Sequence, residues 1–300
     1  MRVVDLFCGC GGMSLGFEKA GYEVIVGYDN WDPAIELYKK NFDHPIIKMD
    51  LFSDEALESI ENYKPDMIIG GPPCQDFSIA GPRQMGKRAN LTKRYAEIIS
   101  EIKPTWFVME NVYNIVRMPI LSQAMEIFKC AGYGVTTIVL DASRCGCPQA
   151  RKRFFAIGHL GDIDDFLLDA LEKGVSNHQM TVREYWKSEL KQNIDTEYYY
   201  MHPRSYNRRA VFSVDEPSAT IRGVNRPIPA DYKPHHADKA NVADGKVRAL
   251  STKERSYIQT FPESYKLFGT KTNLEQAIGN AVPVNLALYV ATKIEEYEVD

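Results

Sequence analysis

The sequence predicts an α/β fold: a doubly wound, mostly parallel sheet, a smaller irregular domain, and a helical return to the first. Three observations predict it. Over the first half, short runs of β-branched and aromatic residues alternate with helical stretches, the pattern of successive β–α units. From about Leu160 to Lys246 this alternation fades into a stretch richer in Tyr, Pro, Asn and Arg. Two helix-like segments then close the chain. With 300 residues, 44% of them hydrophobic, there is enough apolar material for one large core and a smaller one.

Taken in order, residues 3–7 read as strand and 13–20 as a helix stopped by Gly21. Residues 23–28 form the next strand and 33–40 the next helix, opened by Pro33. A strand-like 45–48 follows. The apolar run Met67-Ile68-Ile69 ends in Gly70-Gly71-Pro72-Pro73, where two prolines forbid a helical continuation. Residues 92–102 read as helix, 106–109 as strand, and the region around 123–131 as helix. Strands 135–140 and 153–157 are joined by a short connection, which suits an antiparallel edge. The irregular region carries the turn signals Asp215-Glu216-Pro217, Asn225-Arg226-Pro227 and Asp244-Gly245. Residues 251–259 and 284–297 are helical, the last packing back onto the first domain. The expected division is 1–159 plus 248–300 for the large domain and 160–247 for the small one.

Composition excludes several classes. No apolar stretch reaches the roughly 18–20 residues of a membrane span, and the N-terminus runs straight into a strand, so neither membrane insertion nor a signal peptide is expected. Six cysteines are too sparse for a disulfide scaffold and fit a reducing compartment. Cys8-Gly9-Cys10 and Cys145-Gly146-Cys147 lack the gap of zinc knuckles, so no metal site is expected. The net charge is −4, yet residues 83–94 contain no acid, and Arg204, Arg208, Arg209, Arg222 and Arg226 cluster. These segments are either a two-part nucleic-acid footprint or ordinary solvated faces.

Four segments carry chemistry. Cys74 follows the Gly-Gly-Pro-Pro turn at a strand's C-terminal end, where open parallel sheets place their sites. It is either a buried hydrophobe or a nucleophile. Residues 5–12, with Gly9, Gly11 and Gly12, form a glycine-rich turn between the first strand and first helix. Asp29 ends the second strand. Together they suit a nucleotide-like ligand, or a tight turn with a helix cap. Glu110-Asn111 ends the strand at 106–109. Arg151 and Arg153 alternate along a strand, so they share a face; they suit a phosphate or a carbonyl, or form a solvated strand entry.

In this order these segments resemble the cytosine-C5 DNA methyltransferase family. The resemblance covers most of the chain: the glycine turn, 70–78, Met109-Glu110-Asn111-Val112, 149–153, 248–262 and Gly279-Asn280-Ala281-Val282-Pro283. It implies a Rossmann-like domain binding S-adenosylmethionine (SAM) and a small target-recognition domain. It also implies Cys74 as the thiolate that adds to cytosine C6, Glu110 as the group holding N3 and the amino group, and Arg151 and Arg153 as the pair that positions the activated ring. Because C6 is inaccessible in a stacked duplex, the target base must flip out.

The resemblance implies a SAM pocket from Asp5, Phe7, Gly9, Cys10, Gly11 and Gly12, with Asp29 at the ribose and Asn30, Trp31, Asp50 and Leu51 near the adenine. Gly71, Pro73, Leu91, Asn280 and Val282 complete it. Residues 75–94 match the family's catalytic loop, with Gln75, Ser78, Arg83, Lys87 and Arg88 toward DNA. Base and phosphate contacts are expected from Arg204, Tyr206, Asn207, Arg208, Arg209, Thr220, Arg222, Asn225 and Arg226.

Departures from the family pattern are confined to Gly86-Lys87 before Arg88, Lys253 where arginine is usual, and Ser256-Tyr257 for Ala-Arg. The Cys-Phe-Thr signature of the RNA-methylating branch is absent. The expected protein is a cytoplasmic, nucleoid-associated monomer acting on double-stranded DNA. It needs no obligate protein partner and belongs to a restriction–modification system whose endonuclease need not touch it.

Overall fold

Seven strands form the central sheet of the computed structural model, which describes residues 1–73, 91–205 and 207–299. They are β1 (Arg2–Leu6), β2 (Glu23–Asp29), β3 (Ile46–Lys48), β4 (Met67–Gly70), β5 (Trp106–Val112), β6 (Tyr133–Asp141) and β8 (Lys152–Leu160). Their order is β3-β2-β1-β4-β5-β8-β6. The first five pair in parallel, and β8 runs antiparallel to both of its neighbours. The chain winds outward from β1 to β3 and then crosses back to β4, so β1 and β4 flank the topological switch point. The expected antiparallel edge is more deeply set than the sequence suggested. β8 inserts between β5 and β6, leaving β6 outermost.

Side-chain alternation divides the sheet into two apolar faces. Val3, Met67, Trp106, Val108, Phe155 and Ile157 face a core shared with α1 (Gly12–Lys19) and the C-terminal helix α10 (Val284–Val299). Gly16 of α1 lies so close to α10 that a Cβ there would stand 2.5 Å from that of Ala287. The opposite face, with Ile68, Phe107, Met109 and Phe154, is covered by α3 (Glu55–Glu61), α4 (Leu91–Ile102) and α5 (Pro119–Cys130).

The small region carries β9 (Tyr198–Tyr200), β10 (Val211–Ser213) and β12 (Val247–Ala249) in one sheet, and β11 (Ser218–Ala219) parallel to β7 (Gln149–Ala150). Its apolar core begins at Val182 and includes Tyr257, Ile258 and Ile278 from α8 (Thr252–Ile258) and α9 (Lys271–Asn280). Leu167 and Leu171, at and within α6 (Leu168–Lys173), pack instead into the large core beside Val290 and Ala291.

Helices α3, α6, α7 (Val182–Ser188) and α9 have no counterpart in the sequence reading. α9 is polar, capped by Thr270, and ends in Gly279-Asn280, a composition that reads as loop. Among the described residues, no helix is long and apolar enough to cross a membrane.

Candidate active site

At the C-terminal end of β1 the backbone turns sharply, with Phe7, Gly9 and Gly11 all at positive φ. Phe7 is the informative one, because a non-glycine residue in the left-handed region is held there by its surroundings. The Gly9 amide donates to Asp29 Oδ2 at 2.8 Å, tying the turn to the end of β2. Gly12 meets the C-terminal segment so closely that a Cβ would stand 2.1 Å from the Val282 carbonyl oxygen. Nothing lies within 4 Å of a Cβ built on Gly9, so the turn leaves open space on that side. A backbone cradle beside a helix N-terminus, with a carboxylate at the next strand's end, fits a nucleoside bearing a charged tail.

Several side chains expected in this pocket take supporting places. Asp5 is buried beneath the turn and accepts from Ser14 Oγ at 2.5 Å, which in turn bonds Tyr38. Burial pushes its carboxyl up to about 7. Cys10 directs its thiol to the Ala277 carbonyl within an apolar cluster containing Phe261 and Tyr265. Asp29 already accepts from the amides of Gly9, Asn30 and Trp31, which leaves its carboxylate about one free acceptor site. Leu51 is buried, and its carbonyl accepts from Arg94. Asp50 caps its own turn through the Phe52 amide. Asn30 and Asn280 are exposed, Trp31, Gly71 and Leu91 half-buried, and Pro73 exposed.

One neighbour of this turn holds the second half of the site. Glu110 lies within β5, not after it, because β5 extends to Val112. It pairs with Phe155 of β8, and the diagonal neighbour on the same face is Arg153. Arg153 Nε meets Glu110 Oε1 at 2.8 Å, with both side chains about nine-tenths buried. A Cβ on Gly71 would lie 3.1 Å from Glu110 Oε2, so the carboxyl stands directly beside the turn that leads to Cys74. Burial raises the Glu110 pKa against the pull of Arg153 and Arg151, and burial lowers that of Arg153. Both directions describe a pair held out of water.

Asn111, quoted in the motif without a role, donates to the Pro72 carbonyl at 3.0 Å and fixes the base of that turn. Its position beside Glu110 was the signal, but its partner lies on another strand.

Arg151 departs from expectation. It shares a face with Arg153 but donates to the carbonyls of Ile221, Gly279 and Ala281 and makes no bond to Glu110. Three backbone oxygens occupy its two terminal nitrogens, while its buried Nε has no partner among the described residues.

The recognition candidates divide in the same way. Arg209 pairs with both carboxylate oxygens of Glu216 and lies over the Phe212 ring. Thr220 donates to the Ala150 carbonyl, Arg222 to that of His202, and Asn225 to Leu250 and the Glu275 carboxylate. Each of these four half-buried polar heads already has a protein partner. Arg204, Asn207, Arg208 and Arg226 are exposed, and the three arginines lack a carboxylate partner among the described residues. Burial lowers the Arg222 pKa, and Arg204 and Arg208 lower it further, so the cations share one neighbourhood. Cys74, Gln75, Ser78, Arg83, Lys87, Arg88 and Tyr206 lie outside the described residues.

The family model for C-5 cytosine-specific DNA methylase matches residues 1–296. This chain belongs to that family. It is thus a DNA cytosine-5 methyltransferase that uses SAM. Among curated methylases, it is 54% identical to the type II methyltransferase M.HindV of Haemophilus influenzae over 99% of this chain and 97% of that protein. It is 52% identical to M.HgiDI of Herpetosiphon aurantiacus, over 99% and 95%. Two solved methyltransferases share the fold. The S. pombe Dnmt2 structure superposes with a TM-score of 0.75 at 16% identity over 99% of both chains. An E. coli prophage-encoded putative DNA modification methyltransferase gives 0.72 at 21% identity over the whole of both.

Proposed function

We propose that Cys74, Glu110 and Arg153 form the reacting set of this methylase, in a type II restriction–modification system acting on double-stranded DNA. The observation that carries the reading is the buried Glu110–Arg153 pair beside Gly71, which precedes Cys74 by three residues in the sequence. The system context is supported by the type II relatives, which match this chain over nearly its whole length.

In this reading the Cys74 thiolate adds to C6 of a flipped cytosine. Glu110, a carboxyl that takes up a proton more readily than an exposed one, hydrogen-bonds N3 and stabilises the electron pair displaced onto the ring. Arg153 holds Glu110 in place and faces the ring from β8. SAM supplies an electrophilic methyl group. C5 accepts it, a base then removes the C5 proton, and the C6–S bond breaks to release Cys74 and restore aromaticity. The cradle of Phe7, Gly9, Gly11 and Gly12, with Asp29 and Asn30 at the neighbouring strand end, orients the donor. Arg204, Asn207, Arg208 and Arg226 contact the duplex.

Incubating the protein with labelled SAM and either duplex DNA or tRNA, followed by bisulfite sequencing, tests this. We expect label in duplex DNA at one sequence context. Cys74→Ser should lower turnover by about a thousandfold or more, and Glu110→Gln by about a hundredfold. A duplex carrying 5-fluorocytosine should trap a covalent adduct. Label in tRNA alone, or a Cys74→Ser variant that still methylates DNA, would sink the proposal.

A further inference from the structure

Gln149, Arg151 and Gln259 are polar, fully buried, and touch neither Glu110 nor the open turn. Their bonds run between two backbone segments. The Ile221 amide donates to Gln149 Oε1 at 2.7 Å, and the Ile221 carbonyl accepts from Arg151 at 2.8 Å. On the other side, Arg151 reaches the Gly279 and Ala281 carbonyls, each at 3.0 Å. Gln259 reaches those of Ile278 and Ala281 at 2.5 and 3.1 Å. Gln149 Nε2 donates to Gln259 Oε1 at 2.7 Å, joining the two arms.

Thus both hydrogen-bonding groups of Ile221, in the recognition region, are fastened to the segment 278–281. The backbones themselves nearly touch, since a Cβ on Gly279 would lie 2.2 Å from the Gly223 amide nitrogen. One residue further along, Val282 presses its carbonyl on Gly12 of the glycine turn. A single short stretch therefore abuts the proposed methyl-donor pocket at one end and the exposed arginine cluster's supporting segment at the other.

We infer that Arg151 and the Gln149–Gln259 pair are positioning residues that couple occupancy of the methyl-donor pocket to the recognition segment 220–223. The three side chains of this clamp are buried, and among the described residues only Arg151 Nε lacks a partner within it. A change in how Val282 seats on Gly12 is passed through Ala281 and Gly279 to Ile221, because the buried side chains of Arg151, Gln149 and Gln259 bond both segments. Such coupling is reciprocal: whatever factor the donor-site ligand adds to DNA affinity, DNA must add to that ligand's affinity.

This inference rests on the donor-pocket reading above, so the test separates the two. S-adenosylhomocysteine binding to the full chain is measured by calorimetry, and hydrogen exchange over residues 218–224 is followed with and without saturating ligand. Wild type should bind the ligand and slow exchange of the Ile221 amide by about fivefold or more. Arg151→Lys and Gln149→Glu should keep ligand affinity within threefold and lose most of that slowing. They should also lose the ligand's tightening of duplex binding, a readout that a merely stabilising role would not remove selectively. Exchange over 218–224 that ignores the bound ligand in wild type overturns the coupling and leaves the pocket standing. Absence of ligand binding overturns both. Should the variants fail to fold, the wild-type exchange result decides the matter alone.

Discussion

Asp5 is a carboxyl with an orphan oxygen. Oδ2 is bonded to Ser14, while Oδ1 is buried without a partner among the described residues. A group whose pKa rises from 3.8 to about 7 on folding binds its proton more tightly in the native state. Its contribution to stability is therefore full below about pH 4 and is lost as pH rises toward 7. A rise of that size bounds the loss at about 4 kcal/mol. We expect Asp5→Asn to flatten that part of the urea-denaturation profile; an unchanged slope would mean that another group titrates there. At this scale the sequence identified residue types well and their partners poorly. Glu110, Arg151 and Arg153 were all legible as chemistry, but their division into one buried ion pair and one strut was not. Arg151 and Arg153 differ in what lies opposite, and that is a property of β5, β11 and the segment after α9.

Among elements, the recognition region separates exposed cations from tethered ones. Arg208 is exposed, and its neighbour Arg209 is clamped by Glu216 and Phe212. Substitution to alanine should treat the two differently. Arg208→Ala should weaken duplex binding and lower the slope of log affinity against log salt by about one. Arg209→Ala should leave that slope unchanged and cost about 1 kcal/mol of stability, since its ion pair is partly solvated. Salt titrations of both variants check this; equal slopes would refute the assignment. Helix α9 makes a related point. Its residues read as loop because they lack a continuous apolar stripe, yet Ala277 and Ile278 are buried against two different cores. Neighbours, more than intrinsic preference, make that segment helical.

For the whole molecule, the return of the chain after β12 joins the two parts. Arg255 and Glu275 form an ion pair that is almost wholly buried. Glu275 also accepts from Asn225 and Thr252, and Arg255 donates to the carbonyls of Arg222 and Val224. Removing one partner strands a buried charge, so Arg255→Met should cost about 3–5 kcal/mol. Arg255→Met with Glu275→Leu should cost less than the single change, as measured by chemical denaturation. A double variant worse than the single would show that the outer hydrogen bonds matter more than the pair.

By itself the sequence determined the β–α alternation, the glycine turn, and the order of motifs that carries family membership. These are local or linear properties, set by side-chain periodicity, by proline and glycine geometry, and by spacing. Only the tertiary structure decided that β8 inserts between β5 and β6. It also decided that Arg153 rather than Arg151 meets Glu110, and that four of the eight described DNA-contact candidates already hold protein partners. Those outcomes depend on strand register and on which buried carbonyls need donors, and both are fixed by residues far apart in the chain.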